Sequence, residues 1–190
     1  MKNHTAGKPL HRLYLCLMAV LFLGSCSTVT TQWPFDPGTG ARITYEEQKQ
    51  VLNEHNRVRA DVGLEGLAWS IKLAGFAQEW SEVLAEKSCS LKHRSQSAEK
   101  WHLSQTGENL FMGTAGYYDI GSAVQSWESE KPLWDNKPVN LKKISGYGHY
   151  TQIVWGDTTE VGCGKAYCDG SMIVTCNYSP PGNYIGQMPY

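Results

Sequence analysis

Apolar positions along the chain change period part-way through it. Val51, Leu52, His55, Val58 and Val62 recur at the three-to-four-residue spacing of one helix face. Thr44 and Glu47 supply a T-x-x-E capping pattern ahead of them and Gly63 a stop behind, which predicts a helix over about 45–61. A second helix begins near Ser70, with Leu73, Ala77, Trp80 and Leu84 on one stripe. From Ser88 to about Tyr118 no period holds, and the segment reads as irregular. Ile120, Val124 and Trp127 mark a short helix over about 120–131, ended by Pro132. Beyond it the pattern is that of strands: "HYTQIVW" from His149, "EVGCGKAYC" from Glu160 and "SMIVTCNY" from Ser171, the last two joined by the hairpin signal Asp169-Gly170. Helices first and antiparallel strands last make an α+β layered domain.

The N-terminus belongs to a different kind of segment. Lys2, Lys8 and Arg12 precede the apolar run "LYLCLMAVLFLGSC" from Leu13 to Cys26, the layout of a signal peptide covering residues 1–25. Leu23-Gly24-Ser25-Cys26 resembles a bacterial lipobox, in which the cysteine becomes the lipidated first residue, and Ser27 after it resembles the sorting pattern of outer-membrane lipoproteins in diderm bacteria. The expectation is an exported envelope protein held to the membrane through lipid on Cys26, with secretion after ordinary cleavage as the alternative. Residues 26–43, rich in small and polar residues, Pro and Gly, read as a tether, and the domain is expected over 44–190.

Composition narrows the field. The 190 residues are 41% hydrophobic and 18% charged with a formal net charge of −1, and removal of the signal leaves 14 Lys and Arg against 18 Asp and Glu. That fits one folded domain and not a nucleic-acid binder. Export turns the cysteines toward disulfides: with Cys16 and Cys26 set aside, Cys89, Cys163, Cys168 and Cys176 remain, with three pairings open.

Catalytic signatures are mostly missing, since the chain has no GxSxG, HExxH, CxxC, Walker or GxGxxG motif. The remaining candidates are His93, His102, Glu108, Glu128, Glu130 and His149. On a helical wheel Glu130 falls at one edge of the Ile120, Val124, Trp127 stripe and Glu128 at the other, so either could border a cleft. Gly107 before Glu108 and Gly148 before His149 allow close backbone approach, or plain turns. His55 fits helix-face packing or a capping bond, and His102 a loop.

Several ordered segments resemble one family. "GHYTQIVWGDT" at 148–158 and "IVTCNYSPPGNY" at 173–184 are similar to the two signature segments of the CAP superfamily, which includes cysteine-rich secretory proteins, insect venom antigens and plant pathogenesis-related class 1 proteins. "HNRVR" at 55–59, "LAWSIKLAGFAQEW" at 67–80, "CSLKH" at 89–93, "GENL" at 107–110 and "AVQSWESEK" at 123–131 resemble its other landmarks. The resemblance implies an α-β-α sandwich with a central, mostly antiparallel sheet and a cleft in which His93, Glu108, Glu130 and His149 meet. It also implies, after removal of a third bridge whose cysteines are absent near Asn136 and at Tyr147, the pairs Cys89–Cys168 and Cys163–Cys176.

Two imidazoles and carboxylates match an open site for Zn²⁺ or another divalent cation. Three functions follow: a non-enzymatic exported domain binding metal and a lipid or protein ligand in its cleft; a metal-dependent, peptidase-like hydrolase using one Glu as base; and a structural envelope lipoprotein in which the tetrad is only a hydrogen-bond network. The first is the reading the resemblance favours.

Overall fold

A computed structural model of the chain describes residues 35–95 and 106–190. The signal, Cys26, the start of the tether and His102 therefore lie outside the described residues. Helix α1 spans Tyr45–Ala60, strand β1 Ala68–Trp69, helix α2 Ile71–Lys87, strand β2 Gly107–Thr114, helix α3 Ile120–Glu128, helix α4 Gly148–Ile153, strand β3 Glu160–Cys168 and strand β4 Ser171–Ser179, with single 3₁₀ turns at Lys131–Leu133 and Ile144–Gly146.

The four strands form one sheet in the order β1-β3-β4-β2, antiparallel except where β1 runs parallel to β3. Helix α2 packs on β3 and β4, while α1, α3 and α4 pack together on the other side, so the layers are those of an α-β-α sandwich. The α2 contact is backbone on backbone: a Cβ at Gly162 would lie 2.2 Å from Ala74 N, and one at Gly164 2.4 Å from Gln78 Cα. Asp169 and Gly170 both take positive φ, 46° and 74°, the pair of left-handed residues that a type I′ hairpin between β3 and β4 requires.

Both capping bonds expected at Thr44 form: its side chain accepts from the Glu47 N–H and the Glu47 carboxylate accepts from the Thr44 N–H. Glu47 is also paired with Lys165, tying α1 to β3. Near the end of α1, buried Arg59 donates to the carbonyls of Glu65, Ile153, Trp155 and Thr158 at 2.7–3.1 Å. One guanidinium thereby closes the C-terminal end of α4, whose last carbonyls have no helical partner.

Several expectations are corrected. "HYTQIVW" is not a strand: 148–153 is helical, and Tyr150, Ile153 and Val154, wholly buried, follow the i, i+3, i+4 spacing of a helix face. The segment expected to be irregular contains β2, whose Asn109, Leu110 and Phe111 are buried in succession because helices cover the strand as well as its neighbour, which erases the alternation that betrays a half-exposed strand. Helix α3 stops at Glu128, so Glu130 lies beyond it, ahead of the 3₁₀ turn that accommodates Pro132. The sheet itself is mostly antiparallel, as the resemblance implies, with the two-residue β1 its parallel strand. Asp36 to Ile43, expected as tether, is part of the domain: Thr39, Ala41 and Ile43 are buried, Asp36 bridges to Ala41, and Trp69 Nε1 donates to Thr39 O.

Candidate functional site

Strand β2, helix α4, the segment after α2 and the 181–184 loop enclose a cleft of about 910 Å³. His93 reaches it from the irregular segment that follows Cys89, and the Cys89–Cys168 disulfide fastens that segment to the end of β3. Trp80 Nε1 donates to Lys92 O, and the Arg94 guanidinium lies 4.0 Å over the Phe76 ring and donates to Phe76 O. These contacts hold residues 89–94 against α2 without regular structure. The second bridge, Cys163–Cys176, joins directly opposed residues of β3 and β4. Both pairings are those the family resemblance implies.

Glu108 stands on β2 with its side chain 8% exposed. Its Oε1 lies 2.8 Å from His93 Nδ1 and accepts the Arg94 backbone N–H at 3.1 Å; its Oε2 is buried and has no hydrogen-bond partner among the described residues. Glu130 holds the second imidazole in the same way. Its Oε1 lies 2.6 Å from His149 Nδ1, while its Oε2 accepts the backbone N–H groups of His149 and Tyr150 at 3.0 and 3.2 Å. His93, Glu108 and His149 line the cleft, and Glu130 stands behind His149.

The four residues singled out in the sequence thus form two His–Glu pairs on one cleft, not a single cluster. Among the described residues no group of three or more His, Cys, Asp and Glu side chains gathers as a metal site. The pairing has a chemical consequence. A neutral imidazole facing a carboxylate through Nδ1 carries its proton there, which leaves a lone pair on Nε2.

Behind the cleft runs a buried polar chain. Asn109 Nδ2 donates to His149 O at 3.0 Å and to Tyr178 Oη at 3.1 Å, and Tyr178 Oη lies 2.9 Å from His55 Nε2. His55 Nδ1, 2.7 Å from Val51 O, carries the ring proton, so Nε2 accepts from the tyrosine. Burial, opposed by the Val51 carbonyl and aided by Arg59, lowers the His55 pKa to about 4, and burial raises Tyr178 well above its usual value. Both are neutral, as a chain of hydrogen bonds in a dry interior requires. His55 is thereby a packed helix-face residue, and the Trp127 ring stacks 6.0 Å from that of His149.

Of the other candidates, Glu128 pairs with Arg57 and does not line the cleft, so Glu130 is the one of the two that meets a cleft histidine. Not singled out in the sequence were Asn109, which fixes the carbonyl of His149, and the two residues that build the far wall. Gln152 accepts the Gly182 N–H at 2.9 Å, and Asn183 bonds Thr151 Oγ1 and Gly148 O at 2.6 and 2.8 Å. The signal for Gln152 was present: an amide inside an otherwise apolar run has to find partners.

Comparison with known proteins places the chain as a whole. The model of the cysteine-rich secretory protein family, CAP, matches residues 52–178. Pathogenesis-related protein 1A of Nicotiana tabacum is 39% identical over 144 residues, covering 75% of this chain and 80% of its own, and venom allergen 5 of Polistes fuscatus is 35% identical, covering 77% and 80%. Among solved structures, NaASP2 with Zn²⁺ superposes with a TM-score of 0.65 at 24% identity over 78% of this chain and 86% of that one, and BmVAL-1 with 0.63 at 23% over 80% and 84%. At such identities the structural likeness concerns the fold.

Proposed function

The chain belongs to the cysteine-rich secretory protein (CAP) family, and from that premise we propose that its cleft binds a divalent cation, best matched by Zn²⁺, through Nε2 of His93 and Nε2 of His149. The observation that carries the reading is the pairing of both imidazoles with carboxylates at Nδ1. That is the arrangement of metal-binding histidines, in which an outer carboxylate fixes ring orientation and raises ligand basicity. Oε2 of Glu108, buried in the cleft wall and without a hydrogen-bond partner among the described residues, adds negative charge close to the His93 ring. The donor set therefore fits, with Glu130 holding a ring and Glu108 holding a ring and facing the cleft. NaASP2, whose fold this chain shares, has been crystallised with Zn²⁺.

When bound, such a cation supplies an electrophilic centre for an oxygen-bearing ligand. The chain's own residues supply orientation: Asn109 fixes the backbone at His149, Arg94 presents its N–H to Glu108, and Gln152 and Asn183 hold the wall that a lipid or protein ligand would meet. Both carboxylates are engaged in holding rings, which favours binding over turnover. Calorimetric titration with Zn²⁺ at neutral pH tests the proposal: uptake that disappears in a His93→Ala, His149→Ala double variant is expected. No uptake, or undiminished uptake by the double variant, leaves the tetrad a hydrogen-bond network. Peptide-library profiling with a chelator control reads out hydrolysis separately.

The two disulfides are those of an exported chain. Leu23 to Cys26 after a basic and apolar leader supports attachment of lipid at Cys26 in the cell envelope. Replacement of Cys26 by Ala should then move the protein from the membrane to the soluble fraction.

A further inference from the structure

We infer that the surface formed by residues 131–143 and the 184–188 segment is a docking face for an anionic lipid bilayer. The two segments are neighbours: Val139 N–H donates to Gln187 O and Gly186 N–H to Val139 O, both at 2.9 Å, and the Trp134 and Tyr190 rings lie 5.4 Å apart. Three aliphatic side chains stand out from this face with little cover, Leu141 at 73% exposed, Leu133 at 63% and Ile185 at 55%. Folding does not account for them, because their neighbours Trp134 and Val139 already supply the buried contacts of the same loop.

Charge identifies the occupant. Within 131–143 stand Lys131, Lys137, Lys142 and Lys143 against the single acid Asp135, in a chain whose overall balance is negative. All of these lysines are exposed, and Lys143 is paired with Asp135 at 2.9 Å. Protruding aliphatics between exposed lysines suit a surface that accepts apolar tips between acyl chains and cations at the level of its headgroups. A second copy would bring the same positive charge. The face adjoins the cleft, since Ile144 and Tyr184 line its mouth and continue directly into the two segments. The inference is independent of any metal in that cleft.

Hydrogen–deuterium exchange on the full chain tests it, mixed with phosphatidylcholine vesicles that contain or lack phosphatidylglycerol. The phosphatidylcholine arm cancels whatever the apolar N-terminal run contributes to attachment. Slower exchange of amides in 131–143 and 184–188 is expected only where phosphatidylglycerol is present. The lipid concentration giving half the effect should rise about fivefold for each of Lys137→Ala and Lys142→Ala, and Leu141→Ser should weaken it again. Unchanged exchange, or equal protection by phosphatidylcholine alone, overturns the inference. Soluble polyglutamate protecting the same amides as strongly as the anionic vesicles overturns it in favour of an acidic protein.

Discussion

Glu130 holds His149 by both of its oxygens, one 2.6 Å from Nδ1 and the other accepting the backbone N–H of the same residue at 3.0 Å. Side chain and main chain of the histidine are thus oriented by one carboxylate that lies 19 residues away and belongs to no regular element. Glu130→Gln keeps an acceptor for the backbone but removes the charge behind the ring. Zn²⁺ affinity should fall about 10- to 100-fold, the usual effect of losing an outer-shell partner. Calorimetry measures it, and circular dichroism should show the fold intact.

The buried His55 sets a pH dependence of stability. Its folded pKa of about 4 lies below the unfolded value of 6.5, so between those limits the unfolded chain takes up a proton that the native one refuses. This contribution is fully present above pH 6.5 and is lost as pH falls toward 4, amounting to about 3 kcal/mol in all. Urea denaturation of wild type and His55→Gln at several pH values isolates it. The stability gap between the two proteins should narrow by roughly that amount on acidification, whatever the carboxylates contribute to both.

Removal of either disulfide should cost stability in proportion to the loop it closes. The bridges span sequence separations of 79 and 13, which the chain-entropy model converts to about 4.5 and about 3 kcal/mol. The Cys89→Ala, Cys168→Ala variant should therefore denature at lower urea than the Cys163→Ala, Cys176→Ala variant. It should also lose Zn²⁺ affinity, because His93 depends on the anchored segment.

Gly164→Ala should destabilise the domain by about 1–3 kcal/mol, since the new methyl would meet the backbone of α2, which cannot yield without separating helix from sheet. Gly146→Ala is the control: nothing lies within 4 Å of its added Cβ. Thermal denaturation of the pair compares them.

What could be read from the residues follows a physical line. Helices α1 and α2 were legible because Thr44, Glu47 and Ser70 cap them and one face of each stays in water. The β3–β4 hairpin was legible through Asp169-Gly170, whose backbone conformation few other pairs adopt without cost. Strand β2 and helix α4 were misread for the same reason, that burial on more than one side removes the polar half of the pattern. His149 was found through a family motif, but the partner of each histidine could not be read, because Glu128 and Glu130 differ only in where α3 ends. Asn109 carries its role through a bond to a backbone carbonyl across 40 residues, which leaves no mark in local sequence.

The longer disulfide also decides what a protease can do. A peptide bond cut anywhere between Cys89 and Cys168 gives two fragments that remain one covalent body, because the bridge joins a residue before the cut to one after it. A cut beyond His93 would leave that residue fastened close to the bridge, while Glu108, Glu130 and His149 lie on either fragment, depending on where the cut falls. A nicked molecule would then migrate as a single species until it is reduced, and proteolysis would interrupt the chain without dividing the molecule.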